Sequence, residues 1–260
     1  MHRDNFLTRT AGLTPSAPNV AWTMNRSRRE FEVEVVCEIV PAITVEHVER
    51  GNMYLFTRQA RLLGLQAAPW AVSIGAAAAK ATGGEVRVWT RTLSPGYGTV
   101  VWSSFWEDLA SREASFEALA TDTNYLSLAA EGAPYLVGGI DDTLYNVAYE
   151  GAHPGGDNRF VSIVQSACAN GSVVRGMTTG VEIAKKAEAI SGHSTAFVAN
   201  ATGQWGGVGW IAGYQSIAEY EAAQVKLGSD ASWLEFLDGS TQCYSQETGA
   251  TQSLVLARLG

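Results

Sequence analysis

The chain has 260 residues, of which 46% are hydrophobic and 17% charged, enough for one large hydrophobic core or two smaller ones. Its net charge of −8 argues against nucleic acid or an anionic membrane surface as the main partner, because both bind clustered Lys and Arg side chains. No apolar run approaches the roughly 20 residues that span a bilayer, and the N-terminus lacks the apolar core of a secretory signal.

The cysteines and the N-terminal segment favour a cytoplasmic chain with an irregular start. Cys37, Cys168 and Cys243 lie far apart, and an odd number without a CxxC pair is typical of a reduced protein. Each cysteine is interpreted as a small buried hydrophobic residue. Residues 1–30 are polar and carry a basic cluster, so we interpret them as an arm that is flexible or packs late in folding.

The segment 31–150 predicts a unit with the element order β-α-β-β-α-β. Its first strand, at 31–40, contains alternating and β-branched residues, and Thr44 is a suitable N-cap for a helix over 45–65. A glycine-rich segment at 81–98 follows the second strand and has strand character at 85–89. The other predicted elements are strands at 68–79, 99–105 and 139–150 and a helix at 107–122.

The segment 151–158, GAHPGGDN, is the best candidate for a linker because it is rich in glycine and contains a proline. After it the same order of elements begins again, which predicts a second unit over 159–260. Its predicted elements are strands at 159–169, 194–201, 207–214 and 248–259 and helices at 172–190 and 216–228.

Two stretches of the chain match without a gap. Trp102 and Trp210 are 108 positions apart, and the same spacing relates Trp106 to Tyr214 and several acidic and small residues that follow. A gapless match that keeps aromatic, acidic and small positions together predicts an internal repeat.

A second match has a different spacing. Arg50 and Gly51 correspond to Arg175 and Gly176 at a spacing of 125 positions, which is 17 more than 108. The difference predicts an insertion in the first unit, between its second and third strands. The glycine-rich segment at 81–98 is the expected place for it.

The repeated element order predicts an α+β fold of two tandem ferredoxin-like units. Each β-α-β-β-α-β unit forms a four-stranded antiparallel sheet with both helices on one face. The other face must be covered, and a second unit in the same chain supplies the cover at high effective concentration.

The junction between the third strand and the second helix, WEDLASREASFEA at 106–118 and YQSIAEYEAA at 214–223, carries a family resemblance. The chain resembles the dimeric α/β-barrel superfamily, in tandem-duplicated form, over roughly residues 31–260. Relatives include antibiotic-biosynthesis monooxygenases, NIPSNAP-like, EthD-like and chlorite-dismutase-like proteins. The resemblance implies two sheets packed as a dimeric α/β-barrel within one chain, with a ligand cavity between sheet and helices.

The chain departs from the monooxygenase-like pattern at one position of the second helix. Those relatives often carry a histidine late in this helix, where the present sequence has Ser115 and Phe116 in the first unit and Ala223 and Gln224 in the second. The departure weakens a haem-binding interpretation and any direct transfer of catalytic residues.

Three residues near the first predicted helix are the candidate catalytic groups. His47 lies in the first turn after Thr44, where the helix dipole favours a neutral imidazole that acts as a base. Arg50 is a candidate for stabilising an oxyanion, and Tyr54 for donating a proton. The alternatives are an exposed histidine without a role and an arginine that forms a structural ion pair.

The candidate substrate-binding residues are four aromatic side chains and one arginine. In a barrel the aromatic residues either form the wall of a cavity for a flat apolar ligand or fill the core. Arg175, matched to Arg50, is a candidate for binding an anionic group or for a structural ion pair. The aromatic residues are Trp102, Trp106, Trp210 and Tyr214.

Other kinds of site are not indicated. The four histidines are scattered, so the sequence predicts no metal and no Ser/His/Asp triad. Nucleotide-binding motifs and a GxSxG motif are absent. Asp141 and Asp142 are interpreted as part of a turn, since neighbouring strand residues point to opposite faces and do not form a carboxylate pair.

The sequence and the resemblance together predict a cofactor-independent enzyme of bacterial secondary metabolism. The expected reaction is oxygenation or cyclisation of a small apolar or aromatic substrate. Because the relatives include antibiotic-biosynthesis monooxygenases, the resemblance also implies a role in antibiotic biosynthesis. Alternatives are a binding protein for haem or a pathway intermediate and a structural assembly partner. Whether two chains form a homodimer is left open.

Overall fold

The computed structural model describes residues 53–153 and 156–260. The described part contains eight β-strands and six α-helices, together with 3₁₀ helices at Leu65–Ala67, Ala133–Tyr135 and Thr241–Cys243. None of these helices combines the length and the apolar character needed to cross a membrane.

The elements form two successive series with the same order. The first series is β1 (Tyr54–Leu62), α1 (Ala68–Thr82), β2 (Arg87–Thr92), β3 (Thr99–Trp106), α2 (Leu109–Thr121), α3 (Thr123–Gly132) and β4 (Leu136–Tyr149). The second series is β5 (Phe160–Ala167), α4 (Val173–Ser191), β6 (Thr195–Asn200), β7 (Gly207–Tyr214), α5 (Ile217–Ser229), α6 (Ala231–Ser240) and β8 (Gln252–Arg258). We refer to the two series as the first half and the second half.

All eight strands pair antiparallel in one closed barrel, in the order β1-β3-β2-β8-β5-β7-β6-β4. The halves meet where β2 pairs with β8 and where β4 pairs with β6. The barrel therefore leaves no unpaired edge strand among these eight. The predicted α+β class and dimeric α/β-barrel architecture are confirmed.

Alternation along the strands separates a barrel interior from an outer face covered by helices. In the interior, Trp89, Val101 and Leu256 form a buried apolar cluster. On the outer face, each half has a tryptophan whose indole N–H donates to a helix carbonyl. Trp102 donates to the carbonyl of Ala71 and Trp210 to that of Gly180, both at 2.8 Å, so helix and sheet are joined in the same way in the two halves.

Two element predictions in the first half are wrong. The predicted helix over 45–65 contains β1, and the predicted strand at 68–79 is the start of α1. The sequence of α1 is rich in alanine, the best helix former, with Pro69 in the first turn and Gly83 as a left-handed C-cap. Tyr54, Phe56 and Thr57 in β1 are instead typical strand residues. The predicted strand at 31–40 and the Thr44 cap lie outside the described residues.

The predicted insertion is also wrong. The connections between β2 and β3, at 93–98, and between β6 and β7, at 201–206, have equal lengths. In the element order α4 corresponds to α1, so Arg175 at the start of α4 does not correspond to Arg50. The short helices α3 and α6 were not predicted.

Glu188 in α4 forms hydrogen bonds with the segment of chain that connects the two halves. Its carboxylate accepts hydrogen bonds from the Tyr149 hydroxyl at 2.5 Å and from the backbone N–H groups of Ala152 at 2.7 Å and Thr195 at 2.8 Å. Burial opposes ionisation, but these bonds lower the pKa of Glu188 below its usual value of 4.5. Burial and the bond to Glu188 raise the pKa of Tyr149 to about 12.

Replacing Glu188 with Gln is expected to lower the free energy of unfolding by about 1–2 kcal/mol at pH 7, because an ionised acceptor is lost. Since the folded pKa is depressed, this stabilisation is complete above the unfolded pKa and is lost as the pH falls through the folded value. The difference between Glu188→Gln and the original protein should therefore shrink below about pH 4.

Urea unfolding between pH 3 and pH 7 measures the effect of Glu188→Gln. Glu182→Gln is the matched control, because Glu182 is exposed on the same helix. A difference for Glu188→Gln that does not depend on pH would contradict this account.

Candidate functional site

A cavity of about 180 Å³ lies in the first half, between the outer face of the sheet and the three helices. We call it the first cavity. Its walls are mainly aromatic and aliphatic, and its polar side chains come from β1, β3 and the three helices. They include Arg58, Ser104, Arg112, Ser115 and Tyr125.

Arg58 is held by a carboxylate from the neighbouring strand. Its Nε and Nη2 donate to the two oxygens of Asp142 at 2.8 and 2.7 Å. These bonds, opposed by burial, raise the pKa of Arg58 above its usual range. Its Nη1 donates to the Tyr125 hydroxyl at 3.3 Å. No described residue accepts the hydrogen of that hydroxyl, so Tyr125 is free to donate to a ligand.

Arg112 from α2 lies over the ring of Phe56, with its guanidinium carbon 4.1 Å from the ring centroid. Its Nη1 donates to the Ser115 hydroxyl at 3.4 Å. No carboxylate of the described residues forms an ion pair with it. Burial and the charge of Arg58 lower the pKa of Arg112. The first cavity thus contains a cation whose polar partner among the described residues is a neutral hydroxyl.

The tryptophans of the first cavity present apolar surface to a ligand, because their N–H groups are already bonded. Trp70 donates to the carbonyl of Leu128 at 2.8 Å, and its ring packs edge-on against Trp102 with centroids 6.0 Å apart. Trp106 donates to the Ser104 hydroxyl at 2.9 Å. A ligand would therefore be oriented by Arg112 and Tyr125 and packed by the aromatic rings.

The second half has no equivalent of these charged groups. A second cavity of about 640 Å³ lies at the corresponding place, and none of the described residues that line it is Lys, Arg or His. Strand register and the constant spacing of 108 positions identify the corresponding residues. The pairs are Arg58 with Val164, Arg112 with Tyr220, and Tyr125 with Trp233.

The predicted aromatic residues divide between the two cavities. Trp102 and Trp106 line the first cavity, whereas Trp210 and Tyr214 line the second. Trp102 and Trp210 also belong to the buried cores of their halves, so the two interpretations weighed from the sequence overlap.

The other predicted site residues are not brought together. Tyr54 begins β1 on the face that carries Phe56 and Arg58 but does not line the first cavity. Arg175 is exposed on α4, donates to the Ser172 hydroxyl at 2.9 Å and lines neither cavity. His47 and Arg50 lie outside the described residues.

The sequence interpretation missed the polar groups of the first cavity. Asp142 was assigned to a turn, but it lies inside β4 with its side chain on the Arg58 face, opposite to that of Asp141. Arg112 stands within the stretch WEDLASREASFEA, where an arginine on a helix is usually solvated. Among the described residues, no cluster of His, Cys, Asp and Glu is placed to bind a metal ion.

Comparison with known proteins shows the fold. A crystal structure of a "putative monooxygenase" from Fusobacterium nucleatum has a TM-score of 0.59 at 10% identity, covering 81% of this chain and 94% of that chain. A "putative monooxygenase" from Lactobacillus acidophilus has a TM-score of 0.55 at 7% identity, covering 80% of this chain and 95% of that chain. An anthrone oxidase-like protein has a TM-score of 0.58 at 12% identity, covering 82% of this chain and 93% of that chain. The chain has the dimeric α/β-barrel fold.

The likeness is one of structure rather than of sequence. No family model matches the chain, and no curated protein matches it. The dimeric α/β-barrel neighbours are matched over nearly their full length, so the comparison covers both halves of the barrel. At these identities it establishes the architecture and leaves the chemistry to the residues of the site.

Replacing Asp142 with Asn is expected to strengthen binding of an aromatic anion, because Asp142 neutralises Arg58 at the edge of the first cavity. The side chains of Arg58 and Asp142 are 30% and 43% exposed, so solvent screens their pairing. We expect the affinity for 2-naphthoate to rise about 3- to 10-fold in low salt and the gain to decrease in high salt.

Isothermal titration calorimetry in about 50 mM and about 500 mM salt, between which screening increases strongly, measures this effect. Asp141→Asn is the matched control, since it removes the same charge from the opposite face of β4. Equal gains in the two variants would show that overall charge, rather than release of Arg58, determines the affinity.

Proposed function

We propose that the chain is a cofactor-independent enzyme of the oxygenase or cyclase type that acts on a small aromatic substrate in the first cavity. The observation that supports this most directly is Arg112, a partly buried cation stacked on Phe56 without a carboxylate partner among the described residues. A cation in an apolar cavity is suited to binding an oxygen that becomes negatively charged during a reaction.

The size and surface of the first cavity favour an aromatic substrate. A cavity of about 180 Å³ is on the order of the engineered 150 Å³ protein cavity known to bind benzene, so a substrate of one or two rings is the best fit. Trp70, Trp102 and Trp106 provide flat apolar walls. Exclusion of water by these walls strengthens the interaction of Arg112 with a developing charge.

The chemistry proposed for this cavity is stabilisation of an enolate or phenolate. Loss of a proton from a ring methylene beside a carbonyl places negative charge on the carbonyl oxygen, where Arg112 and the Tyr125 hydroxyl would bind it. The electron-rich ring then reacts with O₂. The methylene loses two hydrogens and gains one oxygen atom, while the other oxygen leaves as water, so no external reductant is needed. Attack on a second carbonyl of the same substrate would give cyclisation instead.

The base that removes the proton is proposed from the sequence. His47 or Tyr54 would take this role, and Arg50 would assist Arg112. Tyr54 lies on the cavity-facing side of β1, next in that row to Phe56. Unchanged turnover in His47→Ala would remove His47 from the proposal.

The structural neighbours support an oxygenase type by analogy of fold. Two are named "putative monooxygenase" and a third is named anthrone oxidase-like. A role in bacterial secondary metabolism, including antibiotic biosynthesis, a cytoplasmic location and association into a homodimer belong to the same proposal and rest on the resemblance.

A binding protein for a pathway intermediate is the second candidate function, because the first cavity would bind an aromatic anion even without turnover. The haem version has less support. Neither the first nor the second cavity is lined, among the described residues, by His, Cys or Met, three of the side chains that commonly coordinate haem iron. A structural assembly partner would need no enclosed cavity at all.

Replacing Arg112 with Leu and Tyr125 with Phe tests the oxygenase proposal. With 2-tetralone as the probe substrate, we expect O₂ consumption and a 1,2-diketone product carrying one atom from labelled O₂. Each substitution should lower kcat about 10²-fold or more, since each removes one donor to the oxyanion.

Thr241→Val in the second cavity is the control for this assay and is expected to leave turnover unchanged. Binding of 2-tetralone without O₂ consumption would contradict the oxygenase proposal and favour the binding protein. Full turnover in Arg112→Leu would contradict the assignment of the site.

A further inference from the structure

The second cavity differs from the first in size, charge and hydrogen-bonding character. At about 640 Å³ it is large enough for a ligand of several rings. Its walls combine aromatic rings with many hydroxyl and amide side chains. These differences in size, charge and hydrogen bonding indicate which class of ligand the second cavity would bind.

The aromatic residues of the second cavity offer faces rather than hydrogen-bond donors. Trp210 donates its N–H to the carbonyl of Gly180, and the Tyr244 hydroxyl donates to the carbonyl of Gly176, both at 2.8 Å. The two rings pack edge-on with centroids 5.3 Å apart. A ring compound can stack on these surfaces without competing for their polar atoms.

The hydroxyl groups at one end of the cavity have also used their hydrogens within the protein. Ser240 donates to the carbonyl of Leu237 at 2.7 Å, and Thr241 donates to that of Asp238 at 2.8 Å. The oxygen atoms of these two hydroxyls still have lone pairs that can accept hydrogen bonds. This end of the wall therefore accepts hydrogen bonds, and a matching ligand must donate them.

The charges around the second cavity disfavour an anion. None of its described lining residues is a cation, and the Glu247 carboxylate lies at its edge. An anionic ligand would lose its hydration without gaining an opposite charge. Neutral compounds with O–H donors avoid this cost.

We propose that the second cavity is a separate binding site for an uncharged aromatic compound that carries hydroxyl groups. The site takes a ligand by stacking on Trp210 and Tyr244 and by accepting hydrogen bonds at Ser240 and Thr241. It differs from the first cavity, which binds an aromatic anion, so one chain carries two sites of different chemistry on the same scaffold.

The test compares two probes of the same shape by isothermal titration calorimetry. 2,7-Dihydroxynaphthalene donates hydrogen bonds, whereas 2,7-dimethoxynaphthalene only accepts them. We expect the dihydroxy compound to bind about tenfold more tightly or better, and Ser240→Ala and Thr241→Val each to weaken it about 3- to 10-fold.

Two control variants locate the effect. Thr178→Val is the matched control, because Thr178 is exposed on α4 and donates to the carbonyl of Val174 at 3.2 Å but does not line the cavity. It should not change the affinity. Arg112→Leu should weaken the binding of 2-naphthoate and leave the binding of 2,7-dihydroxynaphthalene unchanged. This result would separate the second cavity from the proposed active site.

The proposal is overturned if the two naphthalene probes bind equally, if neither binds, or if Thr241→Val and Ser240→Ala have no effect. Loss of dihydroxynaphthalene binding in Arg112→Leu would assign that ligand to the first cavity and also overturn it. Should Ser240→Ala fail to fold, Thr241→Val decides alone, because Thr241 is exposed and tolerates the change.

Discussion

Strand pairing between the halves is the constraint on which the rest of the structure depends. β2 pairs with β8 and β4 with β6, so two four-stranded sheets that would each have two open edges become one closed barrel. With every edge paired, the helices pack on the outside, and each half keeps a space between its helices and the outer face of its sheet. The first and second cavities lie in these two spaces.

The two halves show how one scaffold presents different side chains around corresponding cavities. Trp102 and Trp210 occupy corresponding positions and make the same bond to a helix carbonyl. Around them the side chains differ, since Arg58 corresponds to Val164 and Arg112 to Tyr220. The tryptophan that joins helix to sheet is retained in both cavities, while the charged positions of the first cavity are replaced in the second. Differences confined to the cavity walls alter ligand preference without altering the fold.

The sequence predicted the second half well and the first half only in part. Every strand and both long helices of the second half were found, because alternation and helical periodicity agree there with turn residues at their ends. Between residues 45 and 79 the apolar and alanine-rich pattern is ambiguous. Short apolar runs do not distinguish a buried strand from a helix, and here the choice was reversed for β1 and α1.

That reversal also explains why the site was missed. Arg58 faces the first cavity only because β1 is a strand, and Asp142 meets Arg58 only through the pairing of β1 with β4. No local pattern contains a contact between residues 84 positions apart. Trp102 and Trp106 were found because their aromatic character marks them in any secondary structure, whereas the importance of Arg112 depends on Phe56 beneath it.

The position of Arg112 is itself an argument for function. A guanidinium in partly buried surroundings loses hydration, and a neighbouring arginine adds repulsion, so both effects lower its pKa. Stacking on Phe56, one bond to Ser115 and the more distant charge of Asp142 act in the opposite direction. A leucine at position 112 would pack in the apolar cavity without this cost of burying a charge. Local rules are broken in this way mainly at functional sites, where the unpaired charge has its partner in a ligand.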